Sequence, residues 1–172
     1  VQRKNASTTS SVISYTLAST ELSGSSNLAQ TLDSSDPTIL GRLNRDGINI
    51  TATQCRSGQV KAHPTVLDTG STFQYRDHAF FNNGPARCIY VGVVNLGGTC
   101  PVFVQAYNDI APTGTLTTSS NYLGDSGGST IYQVAKFWAP QNSKVVVRLQ
   151  HVTPTSSPCT TSYTITAPGL DS

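Results

Sequence analysis

"CIYVGVVNLGGTCPVFVQAY", residues 88–107, holds two β-branched and aromatic runs separated by Leu96-Gly97-Gly98. Runs of this length rich in Val, Ile, Tyr and Phe read as strands, and the glycine pair between them reads as a turn. The stretch therefore predicts a hairpin of strands Cys88–Val94 and Val102–Tyr107. The same alternation of short apolar runs and turn clusters continues on both sides. Further strands are expected at Ser11–Ala18, Ile39–Leu43, Ile48–Gln54, Ser71–Tyr75, Ala79–Phe81, Ile131–Trp138, Lys144–His151 and Ser162–Thr166. Arg45-Asp46-Gly47, Asn82-Asn83-Gly84-Pro85 and Ala139-Pro140-Gln141-Asn142 mark turns. About ten short strands with little helical periodicity predict an all-β fold, an antiparallel β-sandwich or jelly roll.

A chain of 172 residues is long enough for one domain with a substantial core. Its pattern divides near Asp36-Pro37. Residues 37–172 carry the dense strand and turn signals, whereas residues 1–36 are rich in Ser and Thr and poor in turns. Within this N-terminal arm Ile13, Tyr15 and Leu17 alternate with Ser14, Thr16 and Ala18, a period-two strand with one apolar face. With Val12 they form the expected donor strand for a neighbouring subunit, and Asn27 to Asp36 is the expected linker.

Only 12% of the residues are charged and the net charge is +2, so the chain lacks the basic stripe of a nucleic-acid binder. Its longest apolar run is too short to span a bilayer. Methionine is absent, which fits a processed product whose secretory signal has been removed. Four cysteines without a Cys-x-x-Cys pair point to disulfides in an oxidising, extracellular setting rather than to zinc. Of the three pairings, a bridge between Cys88 and Cys100 is disfavoured by the hairpin, which sets them ~25 Å apart at ~3.3 Å per residue. Bridged cysteines need Cα atoms within about 7 Å. The expected pairs are Cys55 with Cys88 and Cys100 with Cys159.

The string Gly124-Asp125-Ser126-Gly127-Gly128 matches the surroundings of a chymotrypsin-like nucleophile. That chemistry needs a histidine base and an orienting carboxylate. His63 and His78 lack the family's sequence context, as does Asp109, so Ser126 is expected to shape a loop rather than attack a carbonyl. Asp36, Asp46, Asp77, Asp109 and Asp125 could offer oxygens to calcium, but no stretch has the dense spacing of a calcium loop. His63, His78 and His151 have no ligand spacing, and Arg76-Asp77-His78 beside Phe80 and Phe81 reads as a strand edge with a local ion pair. Trp138, Tyr122, Tyr132 and Phe137 are candidates for an aromatic sugar platform. Asn5 and Asn49 lie in glycosylation sequons.

From Gly41 to Thr166 the motif order resembles a β-sandwich module of secreted bacterial proteins, the pre-peptidase C-terminal type of jelly roll. The matching pieces are "GRLNRDG" (41–47), Cys55, "YRDHAFFNNGPARCIYVGV" (75–93) and "GGTCPVFVQAY" (97–107). They continue with "NYLGDSG" (121–127), "FWAPQNSKVVVRLQHV" (137–152) and "CTTSYTIT" (159–166). The resemblance implies a non-catalytic accessory, adhesive or structural module, and it makes the Ser126 string a recurring loop. Here an N-terminal arm precedes the module. The combination predicts no enzyme activity, cofactor or metal. It predicts a structural subunit of an extracellular filament or surface layer, assembled with copies of itself by donor-strand complementation. The alternative is a binding module for polysaccharide or another surface ligand.

Overall fold

A computed structural model describes residues 26–51, 53–117 and 119–172. Among these the chain forms strands β1 (Ser26–Leu32), β2 (Thr38–Leu43), β3 (Val66–Asn82), β4 (Arg87–Gly98) and β5 (Val102–Asn108). β6 (Tyr122–Asp125), β7 (Tyr132–Ala139), β8 (Ser143–His151) and β9 (Thr161–Ala167) complete the set. They build two antiparallel sheets, one ordered β1-β9-β4-β7 and the other β2-β3-β8-β5-β6. The all-β sandwich read from the sequence is therefore the fold.

Alternation places the core. Ile89, Val91 and Val93 of β4, Ala135 and Phe137 of β7, and Tyr163 and Ile165 of β9 point inward from the four-stranded sheet. Phe80, Val102, Val104, Ala106, Val145, Val147 and Leu149 meet them from the five-stranded sheet. β8 and β5 are buried on both faces, because Ile39, Leu43, Tyr75, Phe103, Tyr107 and Val146 form a second apolar cluster on the far side of their sheet. Ala111 and Leu116, from the connection after β5, cover that cluster. Beneath the cover lies Arg148, fully buried. Its guanidinium holds both carboxylate oxygens of Asp77 at 2.7 Å, donates to Pro112 O at 2.7 Å, and stacks 3.8 Å from the Tyr75 ring centre. A buried arginine is tolerable only with its donors satisfied in this way.

Several expectations change. The 88–107 stretch is not a hairpin: β4 pairs with β7 and β9, whereas β5 pairs with β8 and β6. Leu96-Gly97-Gly98 does not reverse the chain but continues β4 along β9, and the chain then crosses to the other sheet. Gly98 allows this approach, since a Cβ there would sit 2.1 Å from Thr160 O. The two short strands expected at 71–75 and 79–81 are one long strand, β3, interior to its sheet. Arg76-Asp77-His78 is accordingly no edge with a local pair: successive residues face opposite sides and bind Asp36, Arg148 and Tyr163 respectively. Among the described residues of Ile48–Gln54 there is no strand, and β6, which the sequence did not announce, runs into the Gly124–Gly128 string.

The boundary at residue 36 also moves. Asn27–Asp36 is not a linker: Ser26–Leu32 pairs along β9, Leu32 enters the core, and Asp36 is buried against Arg76. The donor-arm residues Val12, Ile13, Tyr15 and Leu17 lie outside the described residues, as does Asn5.

The bridges join Cys55 to Cys88 and Cys100 to Cys159, with Cα separations of 5.5 and 5.8 Å. This is the pairing expected, although the hairpin that argued for it does not form. Replacing Cys55 and Cys88 by Ser is expected to cost about 2–4 kcal/mol, read as a lower denaturant midpoint.

Two buried histidines set a pH dependence. Burial lowers the pKa of His78 and of His151 from 6.5. The unfolded chain therefore takes up these protons more readily than the folded one, so their contribution is complete above 6.5 and lost as pH falls below it. The melting temperature should be lower at pH 5 than at pH 7.5, and the double variant His78→Gln, His151→Gln should narrow that difference.

Candidate functional site: the sheet edges and the outer face

An open sheet ends in strands whose outward N–H and C=O groups need cover. This sandwich has four such strands: β1 and β7, β2 and β6. At β2, Leu40 donates to Gly114 O and its carbonyl accepts from Leu116, both within 2.9 Å. β6 is only four residues long, and beyond it Gly127 O accepts from Gly47 N at 2.9 Å. β7 is met by the segment between β2 and β3. Asn49 donates to Val134 O at 2.7 Å, and the Cys55–Cys88 bridge fastens the segment to the strand beside β7, with Cys88 opposite Trp138. For β1, no backbone hydrogen bond on the side away from β9 occurs among the described residues. β1 starts at Ser26, the first of the described residues.

The segment that meets β7 is anchored by a buried charge. The Lys61 side chain is 3% exposed, and Nζ donates to Asp125 Oδ1 at 2.5 Å, Ile48 O at 2.7 Å and Asp46 Oδ1 at 2.8 Å. Asp125, fully buried, also accepts from Gly127 N at 2.6 Å and from the Tyr122 hydroxyl. Burial and the adjacent Asp125 charge raise the Tyr122 pKa, which keeps its hydroxyl a donor. Gly127, at φ +71°, is needed here because a Cβ would lie 2.5 Å from Ile48 O.

Ser126 belongs to this turn. Its hydroxyl meets Gly128 O and Gln133 Oε1 at 2.8 Å, and its amide donates to Val104 O at 3.0 Å. None of the histidines is its partner: His63 bonds Pro64 O, His78 bonds Tyr163, and His151 bonds Thr161. Asp109 pairs with Lys144. The protease-like constellation is thus not assembled.

The five aspartates considered for calcium are dispersed. Asp46 and Asp125 share Lys61, while Asp36, Asp77 and Asp109 face Arg76, Arg148 and Lys144. Cys100, His151 and Cys159 lie close together, but the two sulfurs are bonded to each other and offer no thiolate.

The aromatic platform divides in two. Phe137 is in the core and Tyr122 lies in the second cluster. Tyr132, 73% exposed, and half-buried Trp138 stand on the outer face of the four-stranded sheet with Val134 and Tyr90. Tyr90 was not among the sequence candidates, and only its register opposite Lys136 places it there.

Comparison with protein-family models, with curated proteins and with solved structures gives no match for this chain. Among the described residues no helix is long and apolar enough to cross a membrane.

Ser126→Ala is expected to lower stability by about 1–2 kcal/mol, because it removes the hydroxyl that Gln133 Oε1 and Gly128 O share. Chemical denaturation measures the loss, and a fluorophosphonate probe should label neither the parent nor the variant.

Proposed function

We propose that this protein is a non-catalytic structural subunit of an extracellular assembly, joined to copies of itself by β-strand complementation. The observation that carries the reading is the contrast among the sheet edges. Loops, a covalent bridge or brevity guard β2, β6 and β7, while β1 has no such guard among the described residues. The segment leading into β1 contains the alternating run Ile13, Tyr15, Leu17. An extended segment added to an open edge gains main-chain hydrogen bonds, and its alternate side chains supply specificity. When the donor arm and acceptor edge lie on different copies, the contact is head-to-tail and propagates. Two disulfides agree with an oxidising location, and the likeness in motif order to pre-peptidase C-terminal modules supports a role without catalysis.

A second reading, a module that binds polysaccharide or another surface ligand, draws on Tyr90, Tyr132 and Trp138. They share one outer face, where rings can stack on sugars.

Sedimentation and negative-stain imaging separate the two. The full chain should polymerise, and a chain lacking residues 1–25 should remain folded, monomeric and able to bind a peptide of residues 8–25. Ile13→Asp, Tyr15→Asp and Leu17→Asp together should abolish both polymer and peptide binding. A parent that stays monomeric at high concentration, or a truncated chain that still polymerises, defeats the complementation reading. Binding of glycan by the monomer that is lost in Tyr132→Ala would favour the second.

A further inference from the structure

Lys61 and Asp125 meet in a close, dry contact. Nζ lies 2.5 Å from Oδ1, and both side chains are withdrawn from water. A second carboxyl group, Asp46, touches the same nitrogen at 2.8 Å with 21% of its side chain exposed. Holding an amine beside the carboxyl group it would attack can supply effective concentrations of about 10⁵–10⁸ M when the two are well oriented. We propose that Lys61 and Asp125 condense to an intramolecular amide, a cross-link that forms without another protein.

The balance is simple. A proton passes from the Lys61 ammonium to the Asp125 carboxylate, leaving an amine and a carboxylic acid. Nζ then bonds to Cγ of Asp125, and the Asp46 carboxylate takes a proton from Nζ and returns it to Oδ1. The Cγ–Oδ1 bond breaks, Oδ1 departs as water, and Asp46 ends as it began. No electron changes hands and no co-reactant is required. Each neighbour has a place in this sequence. The Tyr122 hydroxyl donates to Oδ2, the oxygen that carries the developing negative charge and becomes the amide carbonyl. Ile48 O accepts from Nζ and orients it. A cavity of about 240 Å³ bordered by Asp46, Ile48 and Lys61 gives the released water a way out. The product joins the segment that meets β7 to the end of β6, at a site where the sequence separation of the partners is 64 residues.

Intact mass spectrometry of the non-reduced protein decides the matter, because condensation removes one water beyond the hydrogens lost in the two disulfides. The parent is expected to be one water lighter than its disulfide-bonded sequence, and digestion should release a branched peptide containing Lys61 and Asp125. Lys61→Arg keeps the positive charge but offers no amine, so it should show the full mass. Asp46→Asn should leave most of the protein uncondensed with its fold intact by circular dichroism. A parent at full mass overturns the proposal. So does a lost water found in a linear peptide as a succinimide at Asp46-Gly47, or retained in Lys61→Arg.

Discussion

The peptide groups along an outermost strand need partners, and that requirement organises this sandwich. A stacked pair of open sheets offers four such strands, so much of the chain outside the sheets is committed to covering them. Asn49, in the segment between β2 and β3, meets β7, and residues 114–116 line β2. Among its described residues the segment between β2 and β3 forms no strand, so it must be held from without. A carbonyl contact, a disulfide and a buried lysine hold it at separate points. The Gly-Asp-Ser-Gly string is best understood as the anchor end of that device. Asp125 receives the lysine, Gly127 makes room for Ile48, and Ser126 ties the turn to β5 and Gln133.

The second constraint is that β5 and β8 are buried on both faces. A sandwich needs cover on only one face of each sheet. Here the five-stranded sheet carries aromatic residues on its far side, with an arginine among them. Arg148 is placed there at no evident advantage over a hydrophobic residue of similar size. Its three hydrogen bonds nonetheless connect β3, β8 and the connection after β5, so the cover is fixed in one position over the sheet.

What could be read in the sequence follows from where the information resides. Strands with period-two alternation, such as β9 with Tyr163, Ile165 and Ala167 inward and Ser162, Thr164 and Thr166 outward, announce themselves because one face must be buried. β1 does not, since Leu28 and Leu32 are its only large apolar residues and its neighbours are Ser, Asn, Gln and Thr. β6 is too short to show a period. Ile48–Gln54 carries strand-like composition yet serves as edge cover, because composition reports tendency and not partner. Sheet membership was the deepest loss. Turn residues at 82–85, 96–98 and 139–142 look alike, yet each of these connections passes from one sheet to the other, which only the registers reveal. The Lys61 cluster was invisible for a related reason, as its members stand at positions 46, 61, 122 and 125 and no local pattern joins them.

The register of β1 on β9 has a mechanical meaning. Ser26 lies opposite Ala167, so the chain enters and leaves the four-stranded sheet at the same end. Tension applied between Ser26 and Ala167 would not load the β1–β9 hydrogen bonds together, as it would if they lay at opposite poles. It would open them in succession, from the Ser26 end toward Leu32, in the manner of a zipper. The C-terminal end is better secured, for Phe81 and Asp171 exchange two backbone hydrogen bonds and Leu170 is buried in the core. Under stretch the first element to part is therefore β1, and the rest of the sandwich, with its loops and bridges, is left standing.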